Sequence, residues 1–331
     1  MKKGLMIVSL SVVILVYVLS TLDIGRIDFG SITGSASIDV MQVPAETTEE
    51  TEIYFCPQDN CGEKLEYMIR NSQKTHCALF DIGENIANAL KDKGALVVVD
   101  NENYDEELSF AKEDTEGQLS HNKFCIFDDS IVWTGSFNPT ERGDTKNDNN
   151  VVVLYSKFIA QNYEDEFQEL YNGIYGRGEK VKNNEVMING KSVENYFCPE
   201  DECAKQVIAK IKGAEKSIRF MAFSFTHDGI GQAIIEAKNR GVDIKGVMEK
   251  MQNNKWTEFD RLKQAGIDVK WDNNPYNMHH KVFMIDDKIV ITGSFNPTAS
   301  GDTNNDENVI IINDEKTASK FLTEFDRVWN S

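Results

Sequence analysis

Residues 279–296 read HHKVFMIDDKIVITGSFN, and residues 121–138 read HNKFCIFDDSIVWTGSFN. Each stretch has two β-rich hydrophobic runs separated by an Asp-Asp step, which predicts a β-hairpin. The similarity extends further, because residues 121–150 and 279–308 align without a gap and 19 of the 30 positions are identical. The sequence therefore contains one unit twice.

A second duplicated segment marks the start of each unit. Residues 54–61 read YFCPQDNC, and residues 196–203 read YFCPEDEC. These segments are 142 residues apart and the histidine segments are 158 apart, so the second copy carries 158 − 142 = 16 extra residues between them. We assign residues 54–178 to a first half and residues 179–331 to a second, with a polar linker at 172–195.

Helical and strand periodicities alternate within the second copy. Residues 204–212 and 227–239 carry hydrophobic side chains at helical spacing, whereas residues 217–226 and 242–248 are apolar runs typical of strands. This alternation predicts an α/β fold with a layered unit in each half. The first copy follows the same order but is polar and acidic over residues 101–119, so we expect it to be trimmed there.

The duplicated hairpin brings four polar residue types together. Side chains on a strand alternate between faces, so His279 and Lys281 project together, and so do Ser294 and Asn296. The hairpin places the two pairs beside each other on neighbouring strands. The first copy supplies the same set: His121, Lys123, Ser136 and Asn138.

Two such patches facing each other across a pseudo-twofold axis would form one site suited to a phosphodiester. The lysines would neutralise the nonbridging oxygens, while serine and asparagine add directional hydrogen bonds. One neutral imidazole would attack phosphorus, and the other, protonated, would donate to the leaving alkoxide and later deprotonate water. This chemistry requires no metal and no other cofactor.

The pattern H-x-K-x4-D-x6-G-S-x-N, present twice, resembles the signature of the phospholipase D superfamily, also called the HKD family. It is most similar to the compact bacterial nuclease and mitochondrial cardiolipin hydrolase branch. The resemblance covers residues 54–331 and implies two α/β sandwich halves with the site at their interface, a phosphohistidine intermediate and metal independence. It also implies His121 as the nucleophile, His279 as the general acid and base, and Asp128 and Asp286 as supporting residues away from phosphate.

One position departs from the family pattern. Relatives place a carboxylate downstream that holds a histidine ring by its second nitrogen, and Glu307 stands at that position, 28 residues after His279. The equivalent residue of the first half is Asn149, and an amide stabilises an imidazolium less than a carboxylate does. We expect either Asp144 or Asp148 to replace the carboxylate, or the two histidines to differ in basicity.

Four of the six cysteines form two C-x4-C pairs, namely Cys56 with Cys61 and Cys198 with Cys203. Each pair could close a small disulfide ring outside the cytoplasm. Alternatively, the four could meet as a structural zinc site or remain free thiols. Cys77 and Cys125 lie in apolar strands, where we expect them to be core residues.

The acidic segments at residues 144–148 and 302–307 are candidate calcium-binding loops. They lack the glycine and the distal glutamate of an EF-hand. We therefore expect solvated loops at both places and no metal ligands in the site.

Charge narrows the choice of substrate. The 331 residues contain 35 Lys and Arg against 54 Asp and Glu, a net charge of −19, whereas proteins that hold nucleic acid usually present a broad basic surface. We therefore expect phospholipid hydrolysis. The alternatives are an endonuclease of the same mechanism, supported by the closeness of the second motif to the nuclease branch, and a noncatalytic phosphate-binding module. Because both motifs lie in one chain, no partner is needed to complete the site.

The N-terminal residues predict a location outside the cytoplasm. Lys2 and Lys3 precede an uncharged apolar run over residues 4–22, which is long enough to cross a bilayer with the N-terminus inside. We expect residues 1–22 to be a single-pass membrane anchor, with a cleaved signal peptide and a secreted protein as the alternative. Residues 23–53 are predicted to form a flexible acidic stalk.

Overall fold

The computed structural model describes residues 43–114 and 117–331. Within these ranges sixteen strands form two mixed sheets, one in the order β1-β9-β10-β16-β15-β14-β11-β12-β13 and one in the order β2-β8-β7-β6-β3-β4-β5. The strands are β1 Ala45–Glu46, β2 Glu52–Cys56, β3 Thr75–Leu79, β4 Leu96–Val99, β5 Lys112–Glu113, β6 Lys123–Phe127, β7 Ile131–Gly135, β8 Asn149–Tyr155, β9 Glu185–Ile188, β10 Lys191–Cys198, β11 Ser217–Ala222, β12 Asp243–Met248, β13 Asp268–Trp271, β14 Lys281–Ile285, β15 Ile289–Gly293 and β16 Glu307–Asn313.

Helices alternate with these strands, which confirms the predicted α/β class. Over the same described ranges they are α1 Cys61–Asn71, α2 Glu84–Lys93, α3 Glu141–Thr145, α4 Lys157–Tyr171, α5 Cys203–Lys212, α6 Asp228–Asn239, α7 Phe259–Gln264, α8 Ala299–Thr303 and α9 Glu315–Asn330. The two long helices have equivalent N-caps: the Ser156 hydroxyl accepts from Ile159 N, and the Asp314 carboxylate accepts from Thr317 N.

Both predicted hairpins form. In the second, β14 and β15 pair antiparallel with Phe283 opposite Ile291, and Asp286 and Asp287 take positive φ values of 53° and 58° at the turn. The strand that follows ends at Gly293, where a Cβ atom would lie 2.2 Å from the Asn308 carbonyl oxygen. Glycine is therefore required for β15 to approach β16 closely.

The central hydrophobic core draws on one face of each sheet and on both long helices. Tyr163 and Phe167 of α4 and Phe321 and Phe325 of α9 all belong to it. Two further cores cover the other faces, one in each half. The halves therefore share a continuous apolar interior. Removing these apolar side chains from water stabilises the folded structure.

Polar pairs at the centre of this interface cross between the halves. Thr134 Oγ1 donates to Asn308 Oδ1, and Asn150 Nδ2 donates to Thr292 Oγ1, each at 2.8 Å. All four residues are buried, so unpaired polar groups here would be costly. Thr292 and Asn308 are the residues 158 positions after Thr134 and Asn150. The same threonine–asparagine pair therefore forms twice, with the halves exchanged.

Two segment boundaries differ from the prediction. Residues 43–53, assigned to the stalk, include β1, which pairs parallel with β9, and the start of β2, which pairs with β8. The predicted linker at 172–195 contains β9 and the start of β10, paired as a hairpin. β1 has only two residues and β9 only four, and both owe their conformation to their sheet neighbours, which local propensity does not reveal.

Among the helices of the described residues, none is both long and apolar enough to span a bilayer. The anchor or signal peptide predicted at residues 1–22, and the stalk residues before 43, lie outside the described residues.

All six cysteines are paired. Each C-x4-C segment forms its own disulfide, Cys56 to Cys61 and Cys198 to Cys203, so the four thiols do not meet as a zinc site. The expectation for Cys77 and Cys125 was incomplete: both are fully buried, but they form a third disulfide. They stand directly opposite each other on β3 and β6, a pairing that depends on which strands become neighbours.

We expect the Cys77–Cys125 disulfide to stabilise the fold more than either short ring. Because it closes a loop of 48 residues rather than 5, chain entropy predicts that Cys77→Ala with Cys125→Ala lowers the free energy of unfolding by about 2–4 kcal/mol. Denaturant unfolding would measure this, with Cys56→Ala plus Cys61→Ala as the matched control. Equal losses in the two double variants would contradict the expectation.

Candidate active site

The two H-x-K motifs lie at equivalent strand starts. β6 begins at Lys123 and β14 at Lys281, so each histidine precedes its strand. Each lysine Nζ donates to the backbone oxygen of the histidine two residues earlier, at 2.7 Å for His121 and 2.9 Å for His279. Both histidines are 7% exposed and both lysines at most 3%, so all four basic side chains are largely shielded from solvent.

Backbone hydrogen bonds tie each histidine to the other half. His121 N donates to the Asp306 oxygen at 2.9 Å, and His279 N donates to the Asp148 oxygen at 2.8 Å. The two motifs therefore meet as predicted, and each contacts the other half through an equivalent backbone hydrogen bond. After burial, the charges of both lysines lower the pKa of each histidine, so the four groups interact electrostatically.

The ring partners cross between the halves as well, which corrects the prediction for Glu307. Glu307 does not hold the histidine of its own half: its Oε2 lies 2.8 Å from Nδ1 of His121. The His279 Nδ1 instead lies 2.9 Å from Asn149 Oδ1 and 3.0 Å from the Ser136 backbone oxygen. Sequence spacing assigned the carboxylate to the wrong ring because it could not show that the tails of the two motifs exchange.

Neither proposed substitute for the carboxylate approaches a histidine ring of the site. Asp144 accepts from Gly62 N at 2.7 Å, and Asp148 forms an ion pair with Arg327. The prediction of solvated loops at 144–148 and 302–307 is also partly wrong, because Asp306 and Glu307 are only 2% and 0% exposed.

Hydrogen-bond chemistry settles which nitrogen of His279 carries the proton. The Ser136 backbone oxygen can only accept, so Nδ1 must donate to it. Asn149 Nδ2 donates to the Gly143 oxygen at 3.1 Å, which leaves its Oδ1 as a second acceptor for the same Nδ1–H. The Nε2 atom is thereby left to take up or release a proton towards a substrate.

The serines and asparagines of the G-S-x-N segments have two kinds of environment. Ser136 Oγ accepts from Asn150 N, and Ser294 Oγ accepts from Asn308 N, so each hydroxyl braces the following strand of its own half. The buried Oδ1 atoms of Asn138 and Asn296 have no hydrogen-bond partner among the described residues. The asparagine side chains are therefore less engaged within the protein than the serine hydroxyls are.

Two phenylalanines that the sequence analysis did not single out flank the histidines. Phe80 follows β3 and lies 4.9 Å from the His121 ring and 4.9 Å from Lys123 Nζ. Phe223 follows β11 and stands 4.6 Å from the His279 ring and 4.9 Å from Lys281 Nζ. The sequence could have indicated these residues, because a phenylalanine directly follows the corresponding strand in each copy. These edge and cation–π contacts hold the basic side chains in place.

Burial sets the protonation states. It lowers the pKa of His121 and of His279 well below the usual value, with the lysine charges adding to the effect. It also lowers the pKa of Lys123 to about 7 and raises that of Glu307 to about 8. Both imidazoles are therefore neutral near pH 7, with Glu307 Oε2 2.8 Å from Nδ1 of His121.

Asp128 and Asp286 lie at the hairpin turns, at the opposite ends of the strands from the lysines. Asp128 Oδ1 accepts from Gln73 N and Lys74 N, and Asp286 Oδ1 accepts from Lys216 N and two neighbouring amides. They hold the hairpin turns against the preceding loops and do not contact the four basic groups.

Comparison with known proteins identifies the family. The family model described as "Cardiolipin synthase, PLD-like domain" matches residues 68–171 and 207–329, one match in each half. The chain therefore belongs to the phospholipase D-like family.

Individual relatives are similar over part of the chain. A Rickettsia prowazekii protein named phospholipase D is 39% identical over 136 residues, 41% of this chain and 66% of that protein. A Chlamydomonas reinhardtii protein named mitochondrial cardiolipin hydrolase is 33% identical over 118 residues, 35% of this chain and 53% of that protein. The chain thus spans between half and two thirds of the length of these relatives.

A solved structure covers more of the molecule. The phosphatidylserine synthase of Haemophilus influenzae Rd KW20 matches with a TM-score of 0.63 over 84% of this chain and 85% of that chain, at 12% identity. At this identity the likeness concerns the fold, which extends over both halves.

The pKa shifts predict the pH dependence of kcat/KM on a small soluble phosphodiester. Lys123, with a pKa of about 7, loses its charge as pH rises, so kcat/KM should fall above about pH 7. Lys123→Arg, which stays charged, should move this alkaline limb to higher pH. An unchanged limb in this variant would show that another group controls it.

Proposed function

We propose that this protein is a phosphodiesterase of the phospholipase D superfamily that hydrolyses a phospholipid phosphodiester bond through a covalent phosphohistidine, without a metal ion. One observation carries the proposal: two buried imidazoles, each held at Nδ1, are clustered with two buried lysines by contacts that cross between the halves. Such a cluster offers a nucleophile, a proton donor and two cations to one phosphate.

His121 is the nucleophile in this proposal. When its Nε2 bonds to phosphorus the ring becomes cationic, and the Glu307 carboxylate at Nδ1 stabilises that charge. The pKa of His121 lies well below its usual value, so the ring is neutral at neutral pH, and a carboxylate at Nδ1 selects the tautomer that leaves Nε2 unprotonated. The bond from phosphorus to the leaving oxygen breaks as the bond to Nε2 forms.

His279 acts as the general acid and then as the general base. Its Nδ1 partners are neutral oxygens, which fix the ring but stabilise an imidazolium less than a carboxylate would. A proton on Nε2 is thus readily given to the leaving alkoxide. The neutral ring then takes a proton from the water that attacks the phosphohistidine, which regenerates both histidines.

A lipid substrate is supported by the apolar rim beside His279. The carboxyl ends of β11, β12 and β13 lie at the same sheet edge as Lys281, because Ala222 pairs with both Lys281 and Met248, and Met248 pairs with Trp271. The loops that leave this edge expose three large apolar side chains: Met251 at 70%, Trp256 at 68% and Tyr276 at 39%. Such side chains suit the boundary between lipid headgroups and acyl chains.

The proposed location is outside the cytoplasm, either anchored at the membrane by residues 1–22 or secreted. Three disulfides support it, because such bonds form and persist in oxidising compartments.

Replacing either histidine by asparagine should lower turnover by at least about 10³-fold. With a substrate that has a good leaving group, His279→Asn should accumulate the phosphohistidine because water is no longer deprotonated, whereas His121→Asn should form none. Intact-mass measurement after an alkaline quench, with EDTA present throughout, would detect the adduct. His227→Asn is the matched control, since His227 caps α6 away from the cluster. Substantial activity in either site variant would refute the two-histidine mechanism.

The exposed rim gives a test of lipid against nucleic acid. Trp256→Ala should reduce hydrolysis of cardiolipin or phosphatidylcholine in vesicles by about tenfold, because it removes interfacial apolar area, and should leave a soluble chromogenic phosphodiester unaffected. Tyr67→Ala, at an equally exposed aromatic on α1, is the control. Cleavage of single-stranded DNA by the wild type in place of either lipid would favour the endonuclease alternative.

A further inference from the structure

A chain of hydrogen-bonded side chains lies beside His279 and extends from the second half to the first. His280 directly follows His279, and its side chain is fully buried. Its Nε2 lies 3.0 Å from Glu324 Oε1, and the Arg327 guanidinium donates to both oxygens of the same carboxylate, at 2.7 and 2.8 Å. Arg327 also pairs with Asp148 of the first half. Buried polar groups are costly unless they are well bonded, and the proposed mechanism assigns these side chains no role.

The donors and acceptors of this chain follow from its chemistry. Burial would raise the pKa of Glu324, but the hydrogen bonds from Arg327 and His280 lower it below its usual value. Glu324 is therefore a carboxylate, which can only accept, so His280 donates through Nε2. The Asp148 carboxylate accepts from Arg327 and, at 2.7 Å, from Asn274 Nδ2. Donors and acceptors thus alternate from His280 to Asp148.

The two ends of the chain flank the hydrogen bond that orients the His279 ring. That bond joins Nδ1 to Asn149 Oδ1. Asp148, at one end of the chain, precedes Asn149, and its backbone oxygen accepts from His279 N at 2.8 Å. His280, at the other end, follows His279, and its Nδ1 lies 3.1 Å from Asn150 Oδ1. The same chain therefore fixes the backbone on both sides of the contact between Asn149 and His279.

The equivalent positions of the first half cannot form such a chain. The residues 158 positions before His280 and Arg327 are Asn122 and Glu169. A carboxylate at the arginine position accepts hydrogen bonds and cannot bridge two other carboxylates. The chain is therefore a property of the half that carries His279.

This difference between the halves matches the unequal ring partners of the two histidines. Nδ1 of His121 lies 2.8 Å from the carboxylate of Glu307. Nδ1 of His279 instead faces two neutral oxygens, those of the Asn149 side chain and the Ser136 backbone. Hydrogen bonds to a charged partner are the stronger kind. The chain thus adds rigidity where the ring's own hydrogen bonds are weaker.

We propose that His280, Glu324 and Arg327 form a positioning network that holds the His279 ring in the orientation needed to protonate the leaving group. The network acts through His279 and not on the substrate itself. The inference rests on the proposed role of His279 as the general acid, and it does not depend on whether the substrate is a lipid. Loss of the network should therefore slow those reactions in which the leaving group needs a proton, and spare those in which it does not.

The dependence of kcat/KM on the leaving group tests this role. In a series of methyl aryl phosphodiesters, p-nitrophenolate departs without a proton, whereas the departure of phenol is assisted by one. Because kcat/KM covers the steps up to departure of the phenol, hydrolysis of the phosphohistidine does not affect the comparison. Arg327→Gln should lower kcat/KM at least about tenfold for the phenyl ester and less than about threefold for the p-nitrophenyl ester.

Arg261→Gln is the matched control. Arg261 also pairs with a buried glutamate three residues earlier, Glu258, and it joins α7 to α6 through Gln232. The arginine and glutamate side chains are 39% and 4% exposed in this pair, against 37% and 5% for Arg327 and Glu324. We expect Arg261→Gln to lower the melting temperature about as much as Arg327→Gln does and to leave kcat/KM unchanged for every ester.

Two further measurements separate positioning from a general loss of structure, and they keep the test decisive if Arg327→Gln does not fold. His280→Asn, which supplies the residue found at Asn122, should show the same selective loss. In a His279→Asn background, single-turnover formation of the phosphohistidine from the phenyl ester should be no slower when His280→Asn is added, because there is no ring left to position. Equal losses for all esters, or wild-type kcat/KM in both Arg327→Gln and His280→Asn, would overturn the inference. A wild type that cleaves none of the esters would instead refute the proposed function, and the inference with it.

Discussion

Each histidine of the cluster is positioned by the half to which it does not belong. The backbone of His121 is bonded to Asp306 and its ring to Glu307, while His279 is bonded to Asp148 and Asn149. Neither half alone supplies an oriented imidazole. The apolar core shared between the halves and the Thr–Asn pairs that cross it are therefore conditions for the site as well as for stability.

Duplication produced equivalent positions, and the chain uses them differently. The residue after the bridging aspartate is Glu307 in one copy and Asn149 in the other, which gives one ring a charged partner and the other a neutral one. In the proposed mechanism these unequal partners distinguish the nucleophile from the acid.

The sequence predicted those features that depend on local pattern and repetition. The hairpins, the α/β class and the pairing of each lysine with its histidine follow from alternation and from motifs such as that at 279–296. What it could not predict depends on which strands become neighbours. The disulfide between Cys77 and Cys125 requires β3 beside β6, and the assignment of Glu307 to His121 requires the motif tails to cross.

The net charge of −19 and the basic cluster are compatible because they act over different distances. Surface charge is screened over about 8–10 Å by salt, whereas the buried lysines act on a phosphate directly. Burial also lowers the pKa of Lys123 to about 7, so an empty cluster holds its protons weakly. A bound phosphate anion reverses this effect, because its charge favours protonated lysines and a protonated His279. In the proposed mechanism, substrate binding and proton uptake are therefore coupled, and the acid required for leaving-group departure is formed when a phosphodiester is bound.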